Sequence, residues 1–315
     1  MEVLLEPRAV IGAGLMGHGI AQTLARQSSL VWLYDISSEK LQLALKRIET
    51  SLKLLERYDL ITPKDSREVI KRISPTTSLE KALENVSFVV EAAPENLSLK
   101  QDLFSKIEQF TSTDTIIVTN SSGLRVSDIS SKVQRLDRVA GSHFFLPAQV
   151  VPLVEVSRGP KTSDKTMNET VSLWKACGKE PIRVEHDLPG YIANRLQAAL
   201  VREATSLLGR GVATAEDIDR AVRTGFGLRY LVSGPLEQRD LGGLDLHVDL
   251  SKALWPDLNV SSGPHPFVIN LVNKGNLGLK SGKGFIDWKG QNPEEVLKSR
   301  TEDLIRLMGK IKRPD

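Results

Sequence analysis

Residues 9–17 read Ala-Val-Ile-Gly-Ala-Gly-Leu-Met-Gly, and this stretch decides the fold. The apolar residues before the first glycine are typical of a buried strand, and the sequence after the last glycine reads as a helix. In the spacing G-x-G-x-x-G each glycine has its own task. Gly12 allows a tight turn, Gly14 lets the pyrophosphate of a dinucleotide approach the backbone, and Gly17 lets strand and helix pack closely. The phosphate would lie at the helix N-terminus, where free N–H groups and the helix dipole favour negative charge.

The sequence around the turn strengthens this interpretation, because the glycine spacing alone is a weak signal. A second predicted strand, residues 30–34, ends at Asp35, where an acid can accept hydrogen bonds from the adenosine ribose. The same carboxylate repels a 2′-phosphate, so we expect the cofactor to be NAD and not NADP. A tight turn that binds no cofactor is the alternative. Leu15 and Met16 belong to the turn and are grouped with the cofactor site, although packing is the simpler role for both.

Short β-branched runs alternate with amphipathic segments over the first part of the chain, which predicts βαβ units and a parallel sheet. The predicted strands are residues 9–12, 30–34, 88–91, 115–119, 139–143, 152–156 and 181–184. A helical insertion is expected at about residues 38–72. Its apolar residues recur at steps of four and three and form one buried stripe: Leu41, Leu45, Ile48, Leu52 and Leu55.

The strand pattern stops after Asp187-Leu-Pro-Gly190, and helical periodicity takes over. Thr214 followed by Asp217 fits a capping box and predicts the start of a helix. The predicted fold class is therefore α/β: an N-terminal Rossmann dinucleotide-binding domain in residues 1–186, followed by an all-α C-terminal domain in residues 187–315.

Composition excludes several classes of protein. The 315 residues carry a net charge of +3, and lysines and arginines are interspersed, so nucleic acid is not an expected partner. No segment approaches the roughly 18 apolar residues that span a bilayer, and the opening residues do not fit a signal peptide. The single cysteine, Cys177, fits a reducing compartment and excludes a cysteine-rich metal site. We expect a cytoplasmic protein with no metal and no membrane partner.

Polar residues that could carry chemistry lie within or at the ends of three predicted strands. Oxidation of an alcohol with NAD needs a base for the hydroxyl proton and donors for the oxygen that becomes a carbonyl. The cluster Thr119-Asn120-Ser121-Ser122 and the segment Gly141-Ser-His143 both lie at strand ends, where open α/β sheets bind ligands. Glu155 lies within an apolar strand, and a buried glutamate is costly unless it is paired, for example with His143. For an isolated histidine a structural role is the better interpretation, so these residues alone leave the question open.

Together, the motifs resemble the 3-hydroxyacyl-CoA dehydrogenase family, including its lambda-crystallin (L-gulonate 3-dehydrogenase) and L-carnitine dehydrogenase branch. The likeness extends over almost the whole chain in family order. The segments that carry it are residues 12–17, 90–96, 119–122, 143–147, 152–155, 189–195 and 278–285.

The resemblance implies roles for individual residues. It implies that His143 is the base, that Glu155 orients it, and that Ser122 and Asn194 hold the substrate oxygen and the nicotinamide. It also implies cofactor contacts beyond the turn, at Glu95, Lys100 and Asn120. A homodimer is implied as well, with the helical domain packing between subunits and closing one side of the substrate cleft.

Departures from the family pattern bear on the substrate. Leu146 stands where acyl-CoA members usually have asparagine, and of their lysine-rich run only Ser51, Lys53 and Arg57 persist as candidate substrate contacts. Arg229 matches an arginine of the lambda-crystallin and carnitine branch and could bind a carboxylate through its fork, or could form a structural ion pair.

Three functions follow from these patterns. The leading one is oxidation of an L-3-hydroxyacyl-CoA such as 3-hydroxybutyryl-CoA to its 3-keto product. The second is oxidation of a small free 3-hydroxy carboxylate, such as L-gulonate or carnitine, that binds through Arg229. The third is a crystallin-like structural or NAD-binding protein without turnover.

Overall fold

A single parallel-rich sheet organises the first of two structural units. The computed structural model describes residues 6–310. One unit comprises the residues up to Asn194 together with those from Ser299 onward, and the other is Arg195–Lys298. Residues 1–5 and 311–315, including most of the opening segment that does not fit a signal peptide, lie outside the described residues.

The sheet has eight strands within the described residues, in the order β3-β2-β1-β4-β5-β6-β7-β8. The strands are β1 Arg8–Ile11, β2 Val31–Tyr34, β3 Ile73–Thr76, β4 Phe88–Glu91, β5 Ile116–Thr119, β6 Val139–Phe144, β7 Leu153–Arg158 and β8 Glu180–Val184. The strand order reverses between β1 and β4, which is the point where open α/β sheets form a ligand crevice beyond the carboxyl ends of the strands.

Two features of the sheet differ from the sequence prediction. β7 pairs with β6 in the antiparallel direction, because the connection from Phe144 to Leu153 is shorter than the dozen or so residues that a parallel crossover needs. β3, which the sequence did not reveal, pairs with β2 at the sheet edge. It contains Pro75, and a short edge strand with a proline carries almost no strand signal.

Helices cover both faces of the sheet in the first unit. They are α1 Gly17–Leu24, α2 Ser38–Arg57, α3 Pro63–Lys71, α4 Leu79–Leu83, α5 Leu97–Phe110, α6 Val126–Ile129 and α7 Asp164–Ala176. Side chains fix several of the helix starts: Ser37, Thr62, Ser78, Asn96 and Ser163 accept hydrogen bonds from backbone N–H groups of the first turn. The predicted insertion is thus a pair of helices, α2 and α3. Its apolar stripe is buried, with Leu45 partly buried.

The second unit is helical, as expected. Its helices are α8 Ala193–Gly209, which starts in the first unit, α9 Ala215–Ala221, α10 Gly227–Arg229, α11 Pro235–Gly242, α12 Leu244–Leu254, α13 Pro266–Asn273 and α14 Pro293–Lys310, which ends in the first unit. Short 3-10 or π turns occur in both units. Those of the first unit are Ser130–Lys132 and Leu136–Arg138, and those of the second are Val222–Phe226, Trp255–Asp257 and Leu279–Ser281. The predicted helix start is confirmed, since Thr214 is the N-cap and its Oγ1 accepts from Asp217 N at 3.1 Å. Among the described residues, no helix is long and apolar enough to cross a membrane.

The core of the first unit follows the alternation of side chains along the strands. Val10 and Val90 face one apolar cluster, while Ala9, Ile11 and Val89 face another on the opposite side of the sheet. Strands that are buried on both faces read as continuous apolar runs, which is what the sequence shows. The rigid sheet therefore holds the polar residues at its carboxyl edge in fixed positions.

Candidate active site

The glycine turn after β1 has the geometry that its sequence predicts. Gly12 adopts a φ of +111°, and a Cβ there would lie 2.6 Å from Ala92 O. A Cβ at Gly17 would lie 1.7 Å from Gly12 O, so strand and helix can approach only because this residue is glycine. At Gly14 a Cβ would meet no atom within 4 Å. The turn is therefore tight on its protein side and open at Gly14, where a pyrophosphate can approach the backbone.

Asp35 follows β2 beside this turn and is held by two backbone donors. Its Oδ2 accepts a hydrogen bond from Ala13 N at 3.0 Å, and its Oδ1 accepts one from Ser37 N at 3.1 Å. Lys40, in the first turn of α2, lines the same cleft. The sequence interpretation missed Lys40, although its position five residues after Asp35, in the first turn of a capped helix, would have indicated it. Asp35 and Lys40 together set the charge at this end of the cleft.

One cleft brings most of the predicted residues together. It lies along the carboxyl ends of the strands, and the described residues that line it are Gly12, Gly14, Leu15, Met16, Asp35, Lys40, Ala92, Ala93, Pro94, Glu95, Lys100, Asn120, Ser122, His143, Phe144, Phe145, Leu146 and Asn194. Gly17 and Glu155 lie behind this lining. The structure therefore joins the glycine turn and the polar strand ends in one site.

His143 and Glu155 are directly opposite each other in the antiparallel pair of β6 and β7. His143 Nδ1 lies 2.7 Å from Glu155 Oε2, and both side chains are buried. The other carboxylate oxygen, Oε1, accepts hydrogen bonds from Ile192 N at 2.9 Å and Ala193 N at 2.8 Å.

Burial by itself raises the pKa of Glu155, but the hydrogen bonds from His143 and from the N–H groups of Ala193 and Ile192 outweigh it and hold that pKa below its ordinary value. Glu155 is therefore ionised near neutral pH. An anion on this side fixes the proton on Nδ1 of His143, which leaves Nε2 free to accept a proton.

The loop after β5 is tied to its neighbours by side-chain hydrogen bonds. Asn120 Oδ1 accepts from Phe144 N at 2.9 Å, next to His143 in the chain. Glu95 Oε1 accepts from Ser121 Oγ at 2.5 Å and from Gly123 N at 3.0 Å, on either side of Ser122. These contacts leave Ser122 exposed at the cleft.

Glu95 and Asn194 contact this loop from other segments of the chain. Burial raises the pKa of Glu95, while the donors at Ser121 and Gly123 and the charge of Lys100 lower it, and the net pKa is below the ordinary value. Asn194 Nδ2 lies 3.4 Å from Ser122 O, so the amide is next to the loop. The predicted group of His143, Ser122 and Asn194 thus shares one cleft.

Lys100 is less accessible than a cofactor contact was expected to be. Only 1% of it is exposed, and its Nζ donates to Glu91 Oε1 at 2.6 Å and to Ala93 O at 3.1 Å. Glu91 is fully buried and also accepts from Thr119 Oγ1 at 2.7 Å. The sequence interpretation missed Glu91, although a charge at the end of the apolar strand β4 was a usable signal. The ion pair keeps the turn between β4 and α5 in place under the cleft.

Ser51 and Lys53 were predicted as substrate contacts, but neither lines this cleft. Ser51 is buried and accepts a hydrogen bond from Gln149 Nε2 at 3.1 Å, whereas Lys53 is exposed. Residues two apart on a helix point in nearly opposite directions, so the structure does not bring these two side chains together. Lys53 instead shares an exposed face of α2 with Lys46 and Arg57, at helical steps of seven and four. We call these three residues the basic stripe. The sequence interpretation missed Lys46, which this periodicity would have found.

Arg229 belongs to the second unit. It is the last residue of α10, and its side chain is exposed.

A glycine turn beside an acid and a buried histidine–glutamate pair are what a dehydrogenase needs to bind a dinucleotide and to accept a proton from an alcohol. Comparison with family models places the chain in this class. Residues 8–188 match the 3-hydroxyacyl-CoA dehydrogenase NAD binding domain, and residues 190–288 match the 3-hydroxyacyl-CoA dehydrogenase C-terminal domain. The chain belongs to the 3-hydroxyacyl-CoA dehydrogenase family. It is an oxidoreductase that acts on CH–OH groups with NAD, and the expected cofactor is confirmed.

Individual relatives are similar over nearly the full length. Mouse mitochondrial hydroxyacyl-coenzyme A dehydrogenase (Mus musculus) is 37% identical over 296 residues, which cover 91% of this chain and 93% of that protein. The crystal structure of 5-formyl-3-hydroxy-2-methylpyridine 4-carboxylic acid 5-dehydrogenase, an NAD+ dependent dismutase, matches with a TM-score of 0.90 at 28% identity and covers 98% of this chain and 100% of that one. 3-Hydroxybutyryl-CoA dehydrogenase from Escherichia coli K12 matches with a TM-score of 0.76 at 36% identity, over 91% of this chain and 60% of that one. These matches support an enzyme and not a structural protein without turnover.

Substitution by alanine is expected to have different effects at Gly14, where the turn is open, and at Gly17, where it packs against protein atoms. Gly14→Ala is expected to leave the thermal midpoint unchanged, because the new methyl meets no protein atom. It is expected to raise the dissociation constant of NAD roughly tenfold, about 1.4 kcal/mol, because the methyl stands where the pyrophosphate approaches. Gly17→Ala, the matched variant, is expected to lower both stability and NAD affinity, because its Cβ collides with Gly12 O.

Calorimetric titration of NAD and thermal unfolding of both variants measure these effects. Unchanged NAD binding by Gly14→Ala would show that the pyrophosphate does not approach this turn.

Proposed function

We propose that this protein oxidises the hydroxyl group of an L-3-hydroxyacyl-CoA, with 3-hydroxybutyryl-CoA as the simplest substrate, to the 3-keto thioester, as a step of fatty acid metabolism. The observation that carries the proposal is the 2.7 Å hydrogen bond between His143 and Glu155 at the cleft of the glycine turn. It is supported by the membership of the chain in a family of dehydrogenases named for this reaction.

In this proposal His143 is the general base. Its Nε2 takes the proton of the substrate hydroxyl, and the ionised Glu155 stabilises the imidazolium that forms. Bound NAD supplies the acceptor for the hydride that leaves the same carbon. Ser122 and Asn194 hold the substrate oxygen and the nicotinamide in position.

The cofactor contacts in this proposal follow from the lining of the cleft. The turn residues Gly12, Gly14, Leu15 and Met16 face the pyrophosphate side, and Gly17 keeps the turn tight. Asp35 accepts from the ribose. The other cofactor-side residues are Glu95, Lys100 and Asn120.

The basic stripe on α2 supports a substrate that carries phosphates. Lys46, Lys53 and Arg57 are exposed on one helix face, and such a face attracts the phosphates of coenzyme A. Reversing two of these charges in Lys46→Glu/Lys53→Glu is expected to raise the KM for 3-hydroxybutyryl-CoA roughly tenfold or more, since a charged hydrogen bond contributes about 1.5–3 kcal/mol. The KM for NAD is expected to stay unchanged, because the stripe does not line the cofactor cleft.

Steady-state kinetics with both substrates at low and at high salt measure this effect, which should shrink as salt rises. Lys161→Glu, at an exposed lysine in the turn after β7, is the matched charge reversal and is expected to change neither KM. A CoA ester that binds the double variant and the unaltered protein equally well would contradict the role of the stripe.

A free hydroxy carboxylate is the second candidate substrate, and one observation favours it. A solved relative whose name gives a free carboxylate as substrate, the pyridine carboxylate dehydrogenase, matches this chain with a TM-score of 0.90. In this alternative Arg229 binds the substrate carboxylate through two parallel hydrogen bonds.

A panel of NAD-linked assays with 3-hydroxybutyryl-CoA and with free acids such as L-gulonate and carnitine tests both candidates. Saturation with the CoA ester supports the first. Saturation with an acid alone, lost in Arg229→Ala, supports the second and overturns the first.

The exposed apolar surface of the second unit supports a homodimer as part of the proposal. Several of its aliphatic side chains are more than three-quarters exposed: Val232 at 89%, Val260 at 84%, Leu236 at 81% and Leu241 at 77%. We propose that a second copy of the chain covers these side chains, as apolar surface is covered at protein–protein contacts. A cytoplasmic location is proposed from the single buried cysteine, Cys177.

A further inference from the structure

The imidazole of His143 lies between two aromatic rings that its role as a base does not by itself require. The ring of Phe145 meets it edge-on, with centroids 4.7 Å apart and planes at 63°. The ring of Tyr191 lies along it, with centroids 5.4 Å apart and planes at 32°. We call these two rings the aromatic clamp. Together with the hydrogen bond to Glu155, the clamp limits both the tilt and the rotation of the imidazole, of which only 5% is exposed.

Tyr191 reaches this position through an unusual backbone conformation. Its φ is +49°, in the left-handed region, where the other non-glycine residues among residues 6–310 are Asp59 and Asn85. Aspartate and asparagine tolerate that region, whereas a bulky side chain rarely adopts it. The two residues after Tyr191, Ile192 and Ala193, donate their N–H groups to Glu155 Oε1. The left-handed conformation of Tyr191 therefore places the next two N–H groups beside Glu155, the partner of His143.

The sheet leaves room for the Tyr191 ring at a glycine. A Cβ at Gly141 would lie 3.2 Å from Tyr191 Oη and 3.1 Å from Ser157 Cβ, so a side chain there would push against the ring. Tyr191 is 1% exposed, and among the described residues its hydroxyl has no hydrogen-bond partner. Burial, and then the nearby carboxylates, raise the pKa of this phenol, so it stays protonated. The ring and the backbone of Tyr191 contact the site, and its hydroxyl makes no hydrogen bond with the described residues.

We propose that Tyr191 is a positioning residue: its ring holds the imidazole of His143 in the plane in which Nε2 faces the substrate, and its left-handed turn places the two N–H groups that anchor Glu155. The proposal rests on the proposed function, since it gives His143 the role of base. Tyr191 is not among the residues that line the cleft, and in this proposal it acts through His143.

Three variants test the proposal at a temperature well below the thermal midpoint. Tyr191→Leu removes the ring and is expected to lower kcat roughly 10- to 100-fold, as displacement of a reacting group by about 1 Å does. The dissociation constant of NAD is expected to stay unchanged. The solvent deuterium isotope effect on kcat is expected to increase, because transfer of the hydroxyl proton to His143 becomes slower. Tyr191→Phe restores the ring without the hydroxyl and is expected to bring kcat back to within about twofold. Phe104→Leu, at a fully buried ring in the apolar cluster that contains Ala9, Ile11 and Val89, is the matched control for loss of an aromatic core residue.

The outcomes separate this proposal from the proposed function. If Tyr191→Leu and Phe104→Leu lose the same stability and the same small fraction of kcat, Tyr191 is a core residue only and the positioning role is overturned. If Tyr191→Phe is as impaired as Tyr191→Leu, the hydroxyl matters and the clamp is the wrong explanation. If the unaltered protein oxidises no 3-hydroxy compound, the proposed function itself fails, and this result is visible before any variant is made.

Discussion

His143→Ala is expected to lower kcat about 10³-fold, because a positioned general base contributes roughly 10²- to 10⁴-fold to such reactions. The dissociation constant of NAD is expected to remain that of the unaltered protein, since the glycine turn and Asp35 are separate from the histidine. Added imidazole is expected to restore part of the rate by entering the space that the side chain leaves. Steady-state kinetics and calorimetric titration of NAD measure both quantities on the same preparation.

His186→Ala, at an exposed histidine of the first unit, is the control and is expected to keep full activity. A His143→Ala variant with more than about a tenth of the original kcat would contradict the assignment of the base.

Glu155→Gln is expected to lower kcat by about 10²- to 10⁴-fold although its shape is preserved. The glutamine Oε1 can still accept from the N–H groups of Ile192 and Ala193. Its other end is then an NH₂ group that faces Nδ1 of His143, which forces the imidazole proton onto Nε2. The base would carry its proton on the wrong nitrogen, and no anion would stabilise the imidazolium. Glu185→Gln, at an exposed carboxylate after β8, is the matched control and is expected to leave kcat unchanged.

Glu155→Gln is also expected to change how the stability of the fold depends on pH. The pKa of Glu155 is lower in the folded protein than its ordinary value of 4.5, so the ionised group stabilises the fold above that pH. This contribution is lost as the pH falls through the folded-state pKa. Glu155→Gln lacks the titrating group, so its thermal midpoint is expected to fall less between about pH 5 and pH 3 than that of the unaltered protein.

Thermal unfolding across this range measures the difference between the two proteins. Equal slopes would show that the hydrogen bonds to Glu155 do not lower its pKa in the folded state.

Much of the site was predictable because its parts are local in the sequence. The glycine spacing and Asp35 are read within one βαβ unit, and the structure places Gly12, Gly14 and Asp35 at one cleft. The pairing of His143 with Glu155 was only a chemical possibility from the sequence. The antiparallel register of β6 and β7 puts the two residues opposite each other.

The differences between the sequence prediction and the structure have a common physical origin. Ser51 and Lys53 are neighbours in the sequence, but the helical rotation of α2 buries one and exposes the other. Glu91 and Lys100 form a buried ion pair across the turn between β4 and α5. No local sequence pattern predicts that these two side chains meet.

The sequence by itself determined the elements of this protein: the turn of Gly12, Gly14 and Gly17, the apolar strands, the helix caps and the division into a sheet unit and a helical unit. These features depend on side-chain periodicity and on backbone preferences within a few residues. The folded structure was needed to place Glu155 opposite His143, to form the ion pair under the cleft and to bring Tyr191 into contact with His143. Such contacts depend on which surfaces the folded sheet brings together, and a register shift of a single residue in β7 would turn Glu155 to the other face of the sheet, away from His143.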